Sequence, residues 1–183
     1  MQTRVAIRTL PQSKRCSATA GSLPFQAVCG WPATRSPSGR RVGSFRTERI
    51  DLVTLTLADA NRVIAGAIEK ANQIDAKMNI AVCDAGGRLL AFQRMDGAMW
   101  AGSFGSQGKA MASAAFGRPS GDLTPRADHP TLRGIAAAEG NHMFYGQGAV
   151  PIFRQGVLLG ACGVGGGTAQ EDEDCARAGV EKL

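Results

Sequence analysis

The sequence predicts an α/β (α+β) fold, a five-stranded and mainly antiparallel sheet flanked by helices. Three observations carry that prediction. Short apolar runs alternate with two-residue and four-residue turns, and turns that short join antiparallel neighbours. A strongly periodic helical stretch precedes the first of those runs, and small-residue or polar helical stretches sit between and after them. Finally, 24 glycines and only 5% aromatic residues require a core of Ala, Val, Ile and Leu in close contact.

The helical stretch begins at Thr56, a capping residue with Asp59 at the third position. Leu57, Ala60, Ile64, Ala67, Ile68, Ala71 and Ile74 then recur at helical spacing up to about Asp75. Its apolar stripe needs a sheet to cover. The hairpin Asn79 to Asp96 supplies one: Ile80 to Cys83 form a strand, Asp84-Ala-Gly-Gly87 offers turn chemistry, and Arg88 to Gln93 return. Ala98 to Phe116 reads as a second helix whose glycines cost very roughly 1 kcal/mol each, so close packing must compensate. Gly117 to Pro130 is a loop, Thr131 to Glu139 a helical patch, and His142 to Tyr145 a third strand. Ala149 to Arg154 and Val157 to Val164 are the fourth and fifth strands, joined at Gln155-Gly156. A last helix is expected over Cys175 to Leu183.

The net charge of +6 is confined to one end of the chain. Residues 1–50 hold nine Lys/Arg against Glu48, a balance of +8, while residues 51–183 hold twelve against fourteen acids, a balance of −2. The rest of the chain therefore has no basic face for nucleic acid. Residues 1–50, rich in Arg, Ser, Pro and Gly, are expected to be a disordered basic extension, either transit-like or a start placed too early, with the domain occupying 54–183. No run approaches the roughly 20 apolar residues that span a bilayer, so a non-membrane, cytoplasmic protein is expected, or an organelle-targeted one if the extension is a transit peptide. The five cysteines lack metal-ligand spacing and read as reduced core thiols. The glycine run Gly163 to Gly167 fails as a phosphate cradle, lacking Gly-Lys-Ser/Thr and preceding four consecutive acids.

Five segments in order, Asp84-Ala-Gly-Gly-Arg-Leu-Leu90, Arg94-Met-Asp-Gly-Ala98, Gln107-Gly-Lys-Ala110, Gly148-Ala-Val-Pro-Ile152 and Leu159 to Gly167 with Gln170-Glu-Asp172, resemble the GlcG/HbpS family of haem-binding-type domains. The same domain is similar to the C-terminal part of PduO-type corrinoid adenosyltransferases. The resemblance covers about residues 54–183. It implies a profilin-like arrangement, a homo-oligomer, and haem or another small molecule as ligand, with links to organic-acid catabolism in some members. Gly163-Val-Gly-Gly166 departs from the family's Gly-Val-Ser-Gly, and Thr168 is the nearest hydroxyl to replace the missing one.

Haem iron needs an axial donor, and His129 and His142 are the two histidines. Without Cys-X-X-Cys-His, any haem binds reversibly. Arg94, Lys109 and Arg118 are the cations expected to pair propionates or another carboxylate, with Asp96 beside them. Used as an enzyme, the same cluster would hold an organic acid while Asp84 or Asp96 acts as general base, with His142 or Glu139 assisting, for tautomerisation or hydrolysis. Two further readings of these residues stand beside these: Asp84 as cap of the hairpin turn with Arg94, Asp96 and Lys109 as a structural ion network, and a protein without chemistry whose small-residue helix forms a subunit interface.

Overall fold

A computed structural model describes residues 54–183. The disordered extension expected over 1–50 lies outside them. Helix α1 (Leu57–Gln73) leads into the hairpin β1 (Asn79–Asp84) and β2 (Leu89–Arg94), followed by α2 (Gly102–Phe116). A 3₁₀ segment, Ser120–Arg126, and α3 (Pro130–Ala138) precede the second hairpin, β3 (Ala149–Arg154) and β4 (Val157–Gly165), and α4 (Ala169–Val180) closes the domain.

The four strands lie in the order β2-β1-β4-β3, all antiparallel. β1 and β4 are central because their runs are apolar on both faces. Each hairpin places one strand inside and one at an edge, and each edge pairing carries a register shift, between Val82 and Cys83 against β2 and between Ile152 and Phe153 in β3. Pro151 is tolerated on β3 because an edge strand leaves one side without ladder partners.

One face of the sheet is covered by α1 and α4. Val63, Ile64 and Ala67 of α1, Cys175 and Ala176 of α4, and Ile80, Val82, Ile152, Cys162 and Val164 of the sheet form the principal core. The other face carries α2, and there the layer is thin: Cys83, Ala110, Ala114 and Ala161 are its buried contacts. Gly163 makes this possible. A Cβ there would stand 2.2 Å from the Ser106 carbonyl oxygen and 2.7 Å from the Ala110 nitrogen. The helix is thus held against the strand by the absence of side chains, which is the packing that its own glycines required.

Helices α1 and α4 both start on a reciprocal pair of bonds. Thr56 Oγ1 accepts from Asp59 N–H while Thr56 N–H donates to Asp59, and Thr168 with Glu171 repeats the arrangement at α4. Thr168 moves the start of α4 six residues ahead of the expected Cys175, so that the acids lie in its first turns, where they complement the helix dipole.

The sheet has four strands rather than the five expected, because residues 142–145 do not pair with a strand. Phe144 N–H donates instead to the Gly108 carbonyl of α2, at 3.1 Å, and Met143 is buried against Ala112 and Leu123. The preceding Gly140 and Asn141 both adopt positive φ, which turns the chain off α3 and across the outer face of α2. The apolar triplet that suggested a strand is apolar because it packs on a helix. Among the described residues, no helix is long and apolar enough to cross a membrane.

Candidate functional site

The sequence places three charges at one end of the first hairpin, and the structure separates them. Lys109 projects from α2 into a buried pair with Asp172 of α4, Nζ to Oδ2 2.7 Å, and also donates to the Gln147 carbonyl at 3.1 Å. Asp172 accepts a further bond from Gly167 N–H at 3.0 Å. Burial pushes the Asp172 carboxyl above its ordinary range while Lys109 and Gly167 pull it back. Gly148, at φ +128, leaves the room for this pair: a Cβ would lie 2.5 Å from Lys109 Nζ. Lys109 thus fastens α2 to the start of α4 and to the 146–148 turn. It is not in the cleft that holds Arg94 and Asp96.

Arg94 and Asp96 are exposed and line a separate cleft of about 380 Å³ at the end of β2 beside the last turns of α1, together with Lys77. Arg118 follows α2 with its side chain exposed, its carbonyl accepting from Ser113 Oγ at 2.8 Å. Asp84 takes the turn role: its Oδ1 accepts from Gly86 N–H and Arg88 N–H, each at 2.9 Å. Glu139 ends α3 and pairs with Arg88 at 3.2 Å. His129 is spent as the N-cap of α3, its Nδ1 accepting from Thr131 N–H at 3.3 Å.

His142 is placed differently. It lines a cleft of about 400 Å³ between α2 and the crossing segment, together with Phe104, Gly108, Met111 and Phe144 and the polar Gln107 and Asn141. Its side chain makes no hydrogen bond among the described residues, so both ring nitrogens are accessible. No Lys, Arg, Asp or Glu lines the cleft. Gly108 forms its floor, since a Cβ there would meet the Phe144 ring at 2.8 Å and the His142 carbonyl at 2.6 Å. Trp100 and Phe104 continue the apolar surface, ring centroids 6.0 Å apart and edge to face, and are 66% and 62% exposed. Exposed aromatics gathered around a concavity mark a binding surface.

Phe104, Met111, Asn141 and Phe144 are the lining residues that the sequence did not single out. One signal was legible: residues 97 to 108 contain no charged side chain although their helix carries three glycines and is partly exposed. Among the described residues no group of His, Cys, Asp and Glu could hold a bare metal ion, so a metal at this cleft would arrive within a ligand.

The fold is thus an antiparallel α+β domain, with an apolar cleft between α2 and the crossing segment. Residues 55–181 match the family model described as "Haem degrading protein HbpS-like", and the chain belongs to that HbpS-like family. It is 30% identical over 112 residues to protein GlcG of Escherichia coli, covering 61% of this chain and 81% of GlcG. It is also 25% identical over 133 residues to the corrinoid adenosyltransferase PduO of Salmonella typhimurium, covering 72% of this chain but only 39% of PduO. Among solved structures, Klebsiella pneumoniae protein ORFY superposes with a TM-score of 0.66 at 25% identity, over 81% of this chain and 97% of that one. The PduOC:heme complex gives 0.65 at 24% identity, over 72% and 96%, which is a likeness of fold.

Proposed function

We propose that this protein binds haem, or a planar ligand of the same kind, reversibly in the cleft between α2 and residues 141–144. The observation that carries the reading is His142 beside a charge-free aromatic cleft, with neither ring nitrogen engaged. The donor set fits the group: an imidazole is a competent axial ligand, and Phe104, Phe144 and Met111 offer the apolar contact that a porphyrin face requires. Bound there, haem would supply ligand exchange and one-electron chemistry at iron. The chain's part is to hold the ring against α2, present the His142 nitrogen and keep water from one face. The family to which the chain belongs and the haem carried by a structural neighbour support the same reading.

The site is open on one side, and none of the cations expected to meet propionates lines it. Propionates of a bound haem would therefore meet no cation of the cleft, which favours release over permanent retention. A homo-oligomer would cover the exposed Trp100–Phe104 surface and enclose the ligand further.

Titration of haemin into the full chain, followed by the absorption band near 400 nm, tests the proposal. His142→Ala is expected to weaken binding by about tenfold or more and to shift the band, because an axial bond is lost; His129→Ala leaves both unchanged. Equal titrations for wild type and His142→Ala would overturn the axial role.

A further inference from the structure

The cleft at the end of β2 is independent of the haem reading, and its chemistry is different. Lys77, Arg94 and Asp96 all line it, yet none of the three forms an ion pair among the described residues. Two cations and a carboxylate share about 380 Å³ without neutralising one another, while Ile68 and Met95 form an apolar wall.

Local structure fixes this arrangement. Met95 N–H donates to the Met78 carbonyl at 3.0 Å and Met78 N–H to Met95 Sδ at 3.4 Å, so β2 and the residue before β1 are locked together at this point. The turn after β2 closes at Gly97, φ +82, where a Cβ would lie 3.9 Å from Cγ of Lys77. The Lys77 stem therefore runs under the turn that carries Asp96. Asn72, in the last turn of α1, also lines the cleft, and a helix C-terminus favours positive charge.

We propose that this cleft is a second binding site, for small zwitterions of the amino-acid class. The ligand carboxylate is received by Arg94 and Lys77, its ammonium by Asp96, and its aliphatic chain by Ile68 and Met95. Arg94 suits a two-oxygen partner, and charge-assisted bonds at both ends distinguish such a ligand from a simple anion.

Isothermal titration calorimetry on the full chain with three probes of one skeleton tests this: L-norvaline, pentanoate, which lacks the amine, and butylamine, which lacks the carboxylate. The expected result is saturable binding of L-norvaline, with each single-charge probe weaker by about tenfold or more. Arg94→Ala and Lys77→Ala weaken L-norvaline and pentanoate together, Asp96→Asn weakens L-norvaline and butylamine but spares pentanoate, and Arg126→Ala changes nothing. The substituted side chains are exposed and unpaired, so the variants keep the wild-type melting temperature. Absence of saturable L-norvaline binding, equal affinity for pentanoate, or full retention in Arg94→Ala would overturn the proposal. Because haemin and L-norvaline are titrated separately, failure of one site leaves the other standing.

Discussion

Replacing Lys109 by Met keeps the length and apolar stem of the side chain and removes its charge, which isolates the buried pair. In the native protein Asp172 is 4% exposed and accepts two bonds, from Lys109 Nζ and from Gly167 N–H. After the substitution the carboxylate keeps only the amide and remains out of water. Breaking a buried pair in this way costs about 3–5 kcal/mol, and the retained Gly167 bond puts this case near the lower end, at about 3 kcal/mol. With an unfolding entropy of about 2.1 cal/mol/K per residue over roughly 130 residues, that corresponds to a fall in Tm of roughly 11 °C.

The sign with pH follows from the same geometry. Without Lys109 the folded Asp172 carboxyl is raised further above its unfolded value, so the native state of the variant binds a proton that the unfolded chain does not. Its stability is therefore highest below the unfolded value and declines as pH rises through the folded one. Urea denaturation at neutral and acidic pH measures both effects, and the double variant Lys109→Met with Asp172→Asn should recover more than half of the loss. A single-variant loss below about 1 kcal/mol, or a loss that grows on acidification relative to wild type, would mean that Lys109 does not hold a buried carboxylate in its charged form.

Gly163→Ala should destabilise by about 3 kcal/mol in urea melts, since the methyl must push α2 off β4, whereas Gly134→Ala, with open space around it, should not. Asp59 is buried, which alone would raise its carboxyl, but bonds with Thr56 and the guanidinium groups of Arg62 and Arg154 hold it down at about 2. Its contribution is present above the unfolded value and is lost as pH falls from about 4 to 2, and Asp59→Asn should flatten that part of the acid-unfolding curve. Burial pushes the Cys83 thiol up to about 12 and the Cys175 thiol up to about 11, and Cys162 also upward. In a Cys16→Ser, Cys29→Ser background these three should resist a thiol reagent at pH 8 until urea unfolds the domain.

Much of the fold was legible because its signals are local. The Thr56 and Asp59 cap, the 3.6-residue stripe of α1 and the Asp84 to Gly87 turn each fix their own geometry within a few residues. The 142–145 segment was misread because an apolar triplet looks the same whether it packs on a strand or on a helix. Its partner, Gly108, is 34 positions away or more, and the signal lay in the missing side chain of that glycine. The site was only half legible for a related reason. Spacing brought Arg94, Asp96 and Lys109 near one hairpin, but a helix that starts beyond β2 on one face of the sheet can turn its lysine toward either side. Asp172, 63 residues away, decided which. His142 was named for its chemistry alone; the aromatic cleft beside it came from tertiary packing that no short motif encodes.

A haem ring held against α2 would take its axial bond from His142. Imidazole complementation addresses it directly, by recording the absorption band of haemin-loaded His142→Ala before and after adding free imidazole. Imidazole is expected to restore the wild-type band in His142→Ala but not when Phe104 and Phe144 are also replaced by Ala. A wild-type band in His142→Ala without imidazole, or complementation that ignores the two phenylalanines, would mean that the ring is held elsewhere.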